Sequence, residues 1–298
     1  MALHALTAHS PLPHLPEGPG PIIVMVHGYK FSPDMPRHDP FEHILSMTPT
    51  PGRRSAVSWP RHLGFRGRSE DGVAIGYGWH ARGPIWRVTE AALEAGAALA
   101  RIIEALQSRH PARPIHAIAH SLGARVVLEA MARLEAPALN RVILLSPADW
   151  TDHAHAALGS VAGDAAEVFN ITARENDLFD TLLARAVPQA APALGQGLPS
   201  APGNWLDIQL DHPQTEAALA RLGHRLAPSS RAVCHWSSYM RPGVFAFYKR
   251  LLRAPETLPM TQLRAALPTQ MQPKWSRLPL VPAAKPAILR ATTKGAPA

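Results

Sequence analysis

The chain has a single cysteine, Cys234, among its 298 residues. That excludes an intramolecular disulfide framework and any four-cysteine zinc site, so stability must come from packing, and a reducing compartment fits. No uninterrupted apolar stretch approaches the ~18 residues of a membrane helix. The opening, MALHALTAHSPLPHLPEGPGP, has no lysine or arginine before a hydrophobic run, and its prolines interrupt any signal-peptide core. A cytoplasmic protein without an integral membrane segment is expected. Acidic residues are absent from 257 to 298, where Arg264, Lys274, Arg277, Lys285, Arg290 and Lys294 supply +6 of the formal +8 and leave +2 for the rest. The body is therefore nearly neutral, with no basic helix alternating with aromatics, and nucleic acid is not an expected partner. Phosphate-binding glycine turns of the G-x-x-x-x-G-K-S/T or G-x-G-x-x-G type are also lacking where they would have to stand, so no cofactor is expected.

What is there begins with short apolar runs. Ile22 to Val26 is wholly apolar and leads into His27-Gly28-Tyr29, which reads as a buried strand entering a turn. VAIGYGW at 73–79, IHAIAH at 115–120, RVILLSPA at 141–148, AEVFNITA at 166–173 and WLDIQL at 205–210 are further strand candidates. Between them lie helical patterns. Leu99, Ile102, Ile103 and Leu106 recur at i, i+3, i+4 and i+7 within 85–109, and Val127, Ala130, Met131 and Leu134 repeat that stripe. A further helix is expected over about 214–224 and another in the aromatic-rich stretch before Leu252.

Strands of this length alternating with helices indicate an α/β fold, a doubly wound and mostly parallel sheet with helices on both faces. Three segments are expected: an irregular lead-in over 1–20, the α/β body over 21–253, and a basic, proline-rich tail over 254–298. Trp275, Leu278, Leu280 and Ile288 offer that tail apolar anchors for partial docking.

One stretch carries chemistry. Ala119-His120-Ser121-Leu122-Gly123 follows a strand and opens an amphipathic helix. Small residues two positions either side of a serine allow the tight turn of a nucleophile elbow, in which the hydroxyl is held at the carboxyl edge of the sheet. Alanine stands here where the motif usually has its first glycine. The competing reading is a serine that merely caps the helix. Strand, small residues, serine and helix together resemble the α/β-hydrolase superfamily, over roughly residues 20 to 250. The similarity is to compact, poorly characterised members rather than to large lipases.

The resemblance implies an acid and then a histidine, in that order after Ser121. Asp177, just beyond AEVFNITA, is the expected acid, with Asp180 as an alternative; either could instead cap the helix that follows. His235 is the expected base, with His224 and His212 as alternatives. The backbone N–H groups of Leu122 and Tyr29 are expected to form the oxyanion hole, with Gly28 supplying an unusual backbone angle. The implied activity is that of a serine hydrolase acting on an ester or related acyl bond of a small molecule, the rival being a catalytically silent fold that binds a ligand or partner. No metal is expected. His153 and His155 read as an exposed helix start, and Glu90, Glu94 and Glu104 as a solvated helix face.

Overall fold

The computed structural model describes residues 3–52 and 56–278. Among the described residues, seven strands form one sheet: β1 (Leu3–Leu6), β2 (Ile22–Val26), β3 (Val73–Tyr77), β4 (Ile115–His120), β5 (Arg141–Leu145), β6 (Glu167–Thr172) and β7 (Trp205–Gln209). Ten α-helices accompany them: α1 (Trp59–His62), α2 (Ile85–Arg109), α3 (Leu122–Arg133), α4 (Thr151–Leu158), α5 (Val161–Ala165), α6 (Asp177–Ala186), α7 (Pro213–Arg221), α8 (Ser237–Met240), α9 (Val244–Arg253) and α10 (Met260–Ala266). The strand order is β1-β3-β2-β4-β5-β6-β7, and every pairing is parallel.

Strand periodicity divides the core between two faces. Val24, Val26, Ile75, Ala117, Ala119, Val142 and Leu144 point to the side covered by α2, α3 and α4. Their neighbours Ile23, Met25, Ile118, Ile143, Leu145 and Phe169 face the opposite layer, formed by Trp59 of α1 with α7, α9 and α10. Burial on both sides is why these strands read as continuous apolar runs rather than alternating ones.

The topology selects one place on the sheet. The chain leaves β2 toward β3 on one side, returns through α2 to β4 on the other side of β2, and then continues outward to β5. The connections diverge between the carboxyl ends of β2 and β4, and such a switch point leaves a crevice where ligands bind in open α/β sheets. His27-Gly28-Tyr29 and Ser121 are the residues that emerge there.

Several sequence expectations are corrected. The lead-in over 1–20 is not wholly irregular: Leu3–Leu6 pairs in parallel with β3 as the edge strand. Four residues with two leucines are too short to carry a period, and their pairing is decided by the exposed backbone of β3. Gly96 lets α2 approach α3 closely, since an added Cβ would stand 2.5 Å from Glu129 Cβ and 2.8 Å from Val126 O. The start of the tail is held against the body. Leu258, Met260 and Leu263 are buried, Arg264 donates to the carbonyls of Gly203 and Trp205, and Arg277 donates to Ser229. Leu280 and Ile288 lie outside the described residues.

The two histidines do not form an exposed helix start: His153 is half-buried, and His155 is exposed but lies in the last turn of α4. His153 Nδ1 bonds Asp149 Oδ2 (2.5 Å) and Nε2 bonds Glu129 Oε2 (3.1 Å), while Arg125 pairs with the other Asp149 oxygen (2.5 Å). Burial alone would lower its pKa, but the hydrogen bond and charge of Asp149 overcome this and raise it above 6.5. A raised folded pKa stabilises the fold fully below the unfolded value, and the contribution is lost as pH climbs through the folded value. Melting temperature is therefore expected to decline from about pH 6.5 upward, and to decline less in His153→Gln. Parallel melting curves for the two proteins would contradict the assignment.

Candidate active site

Ser121 has φ 55° and ψ −126°, a conformation that costs a non-glycine residue about 1–3 kcal/mol and persists only where the surroundings enforce it. The enforcement is visible. Ser121 N–H donates to Leu145 O (3.0 Å) on β5, and Ser121 O accepts from Ala124 N (3.0 Å) and Ala148 N (3.1 Å). Behind the turn, Gly123 lies against the end of β2, where an added Cβ would meet His27 O at 2.6 Å and Val26 O at 2.7 Å. Ser121 precedes α3 but makes no side-chain capping bond, so the helix-cap alternative is not realised.

The turn after β2 packs directly on this elbow. A Cβ on Gly28 would fall 2.7 Å from both His120 O and Ser121 Cβ, so glycine is required there for space. The expectation of an unusual Gly28 backbone angle is corrected: the positive φ belongs to Lys30 (76°). His27 organises the turn. Trp79 N–H donates to His27 Nε2 (3.1 Å), so the proton sits on Nδ1, which donates to Gly28 O (2.9 Å). Burial lowers the His27 pKa to about 4, so the ring is neutral. With the peptide trans and its carbonyl drawn to His27, the Tyr29 N–H is directed to the opposite side. Leu122 heads α3, where the backbone N–H has no intrahelical acceptor.

His235 arrives from the chain that follows β7. Cys234 N–H donates to Glu175 O (2.9 Å), and the His120 Nε2–H donates to His235 O (3.0 Å). The rings of His120 and His235 stand 4.6 Å apart, and Phe179 stacks on the other side of His235 at 4.8 Å. No hydrogen bond joins Ser121 to His235 among the described residues; such contacts commonly close only when substrate is bound.

The partner of His235 is Asn176, whose Oδ1 accepts from His235 Nδ1–H at 2.7 Å. Asp177 is not brought to the histidine. Its Oδ2 accepts the Trp275 N–H (2.6 Å), and its Oδ1 faces Arg174 Nη1 (3.4 Å). The acid expected from the sequence is thus one residue away from the side chain that meets His235. Burial, first, and then the neighbouring His120 hold the His235 pKa well below 6.5, as suits an imidazole paired with a neutral amide rather than a carboxylate.

Residues 14–164, which contain Ser121 and the His27-Gly28-Tyr29 turn, match the family model described as alpha/beta hydrolase of unknown function (DUF900). The chain belongs to this alpha/beta-hydrolase family. No curated sequence matches it. Among solved structures, the hydrolase is similar to Trichoderma reesei cutinase in complex with a C11Y4 phosphonate inhibitor, at 15% identity, 52% coverage of this chain and a TM-score of 0.28. The match spans 62% of the cutinase. The lin2722 product of Listeria innocua is similar at 10% identity over 78% of this chain and 93% of that one, with a TM-score of 0.39. An acetylxylan esterase is similar at 11% identity over 84% of this chain and 100% of that one, with a TM-score of 0.34. No helix of the described part of this hydrolase is long and apolar enough to cross a membrane.

The other histidine and serine clusters among the described residues are engaged elsewhere. His212 caps α7 by accepting from Gln214 N–H (3.1 Å), and His224 packs on Phe247 (5.4 Å), so neither alternative base reaches Ser121. Ser32, His80 and Asp34 form a chain of contacts at 2.8 and 3.2 Å, but serine meets Nδ1 and the acid Nε2, the reverse of what an orienting acid requires. Ser146 also has a positive φ, 43°, yet its hydroxyl is buried and donates to Ser238 Oγ (3.0 Å). The cleft between α7 and α10, lined by Gln214, Ala217, Arg221, Ala266, Leu267 and Pro268, holds no nucleophile or base.

Proposed function

We propose that this protein is a serine hydrolase cleaving an ester or related acyl bond of a small molecule. The observation that carries the reading is Ser121, held at φ 55° between β4 and α3, uncapped, and packed against the His27-Gly28-Tyr29 turn at the switch point. Ser121 Oγ attacks the carbonyl carbon while His235 Nε2 takes the hydroxyl proton and then delivers it to the leaving group. Asn176 keeps the Nδ1 proton of His235 in place, a role that in related constellations falls to asparagine as well as to aspartate. The N–H groups of Leu122 and Tyr29 stabilise the tetrahedral oxyanion. Water, activated by the same histidine, then hydrolyses the acyl-enzyme. Thioesters and amides would use the same groups. Phe179 beside His235 and the exposed Leu178, Leu182 and Trp236 support an apolar acyl substituent.

Labelling with a fluorophosphonate, mapped by mass spectrometry, tests the reading together with p-nitrophenyl esters from acetate to decanoate. A covalent adduct on Ser121 and turnover on part of the ester series are expected. Absence of both would leave the silent binding fold as the better account.

A further inference from the structure

His235 is paired with an amide, which carries no charge with which to stabilise the imidazolium formed during attack. The other end of that amide is occupied: Asn176 Nδ2 donates to Asp180 Oδ1 at 2.9 Å. We propose that Asp180 is the positioning residue of this site, its carboxylate acting on His235 through the Asn176 side chain. The proposal rests on the reading of Ser121 and His235 as nucleophile and base.

An asparagine amide presents an acceptor at one end and donors at the other, and only its oxygen can accept the His235 Nδ1 proton. A carboxylate behind it accepts only from the NH₂ end. Asp180 therefore fixes which way the amide points, and with it the histidine tautomer that leaves Nε2 free for Ser121. Donation from Nδ2 to an ionised acceptor also polarises the amide and makes Oδ1 a stronger acceptor. Asn176 stands at the start of α6, yet its side chain makes no capping bond, so it is committed to these two partners.

The hydrogen bond that Asp180 makes among the described residues runs to Asn176. Only 3% exposed, Asp180 leaves Oδ2 without a hydrogen-bond partner among the described residues, a costly arrangement for a carboxylate. The backbone at Gly195 closes over that oxygen, and an added Cβ would lie 1.9 Å from it. The groups that face Asp180 are Arg174 from the turn after β6, Asp177 from α6 and Lys274 from the C-terminal segment. Burial is the largest influence and raises the pKa, Arg174 and Lys274 oppose it, Asp177 adds to it, and the result is about 7. Above that pH the carboxylate holds the amide. Below it the protonated acid can donate to Oδ1, which lets the amide turn its NH₂ toward His235 and removes the acceptor.

The test measures kcat and KM on p-nitrophenyl acetate across neutral pH for wild type, Asp180→Asn, Asn176→Asp and the double variant. Wild-type kcat is expected to rise through about pH 7. In Asp180→Asn, kcat is expected to fall about 100-fold, the low end for a positioned acid–base group, with KM little changed and the step near neutrality gone. Adding Asn176→Asp to that variant is expected to restore at least about tenfold, because a carboxylate then meets His235 directly. Wild-type kcat and pH profile in a folded Asp180→Asn would overturn the proposal. So would a uniform loss at every pH without recovery in the double variant, which marks a merely structural role. If Asp180→Asn does not fold, ¹⁵N NMR of His235 in the wild type decides. An Nδ1–H tautomer above about pH 7 that is lost below it supports the relay, and a tautomer unchanged across that range overturns it. Because the NMR reading does not require turnover, it separates failure of the relay from failure of Ser121 to label.

Discussion

Turnover of p-nitrophenyl esters is expected to fall by about 10⁴-fold or more in Ser121→Ala, with the melting temperature unchanged or raised. In the proposed mechanism the loss is large because Ser121 has no substitute as nucleophile. Ser146, beside Ser121 at the end of β5, has its hydroxyl committed to Ser238, Ser32 is bonded to His80, and His235 without a serine can only activate water in a site shaped for a hydroxyl attached to the protein. Stability should not suffer, because the Ser121 side chain caps nothing and the strained φ of 55° is imposed by the flanking strands rather than by the hydroxyl. The variant is compared with wild type in single-turnover assays and by thermal melting. Retention of more than a few per cent of the activity would remove Ser121 from the mechanism.

The second large effect is expected from Gly123→Ala, which adds one methyl group. That methyl would fall 2.6 Å from His27 O and 2.7 Å from Val26 O, and both oxygens belong to backbone at the end of a central strand. A flexible side chain could turn away, but β2 is paired on both sides and cannot. The elbow has to recede instead, carrying Ser121 and the Leu122 N–H away from the Tyr29 turn. A displacement of roughly 1 Å at the reacting atoms costs about 100-fold in kcat, and overpacking of this kind costs about 1–3 kcal/mol of stability. Gly203→Ala serves as the control, since nothing lies within 4 Å of an added Cβ there. Urea midpoints and kcat for the three proteins check both parts. An active, equally stable Gly123→Ala would mean that the elbow is not packed as described.

Placement of the site followed from residues that the sequence displays. Five apolar residues before His27, six before Ser121 counting the histidines, and a helix stripe after each crossover are sufficient to order strands and helices, because burial on both faces forces continuous apolar runs. Ser121 stood out because a strand, two small residues and a helix surround it. His27, His120 and Asn176 did not stand out, and Asp180 is legible only as the alternative acid. His27 lay within the recognised turn, but only its bond from Trp79, fifty-two residues away, shows which nitrogen carries the proton. His120 gave no signal of its own beyond membership of a buried strand.

The sequence by itself determined the α/β architecture, the parallel sense of the main strands and the position of the tight turn at Ser121, because each is a matter of local period and local turn chemistry. Tertiary structure decided the edge strand Leu3–Leu6, whose four residues are held by the backbone of β3 rather than by their own pattern. It also decided which side chain meets His235. Consecutive residues at a helix start point about 100° apart. Whether Asn176 or Asp177 faces the base therefore depends on where the turn after β6 becomes α6, and that phase is set by Asp211 binding the N–H groups of Arg174 and Glu175 from the neighbouring strand's end. The composition of the turn places an amide and two carboxylates within reach of one another, and only the packing of β7 against β6 turns one of them toward the histidine and another behind it.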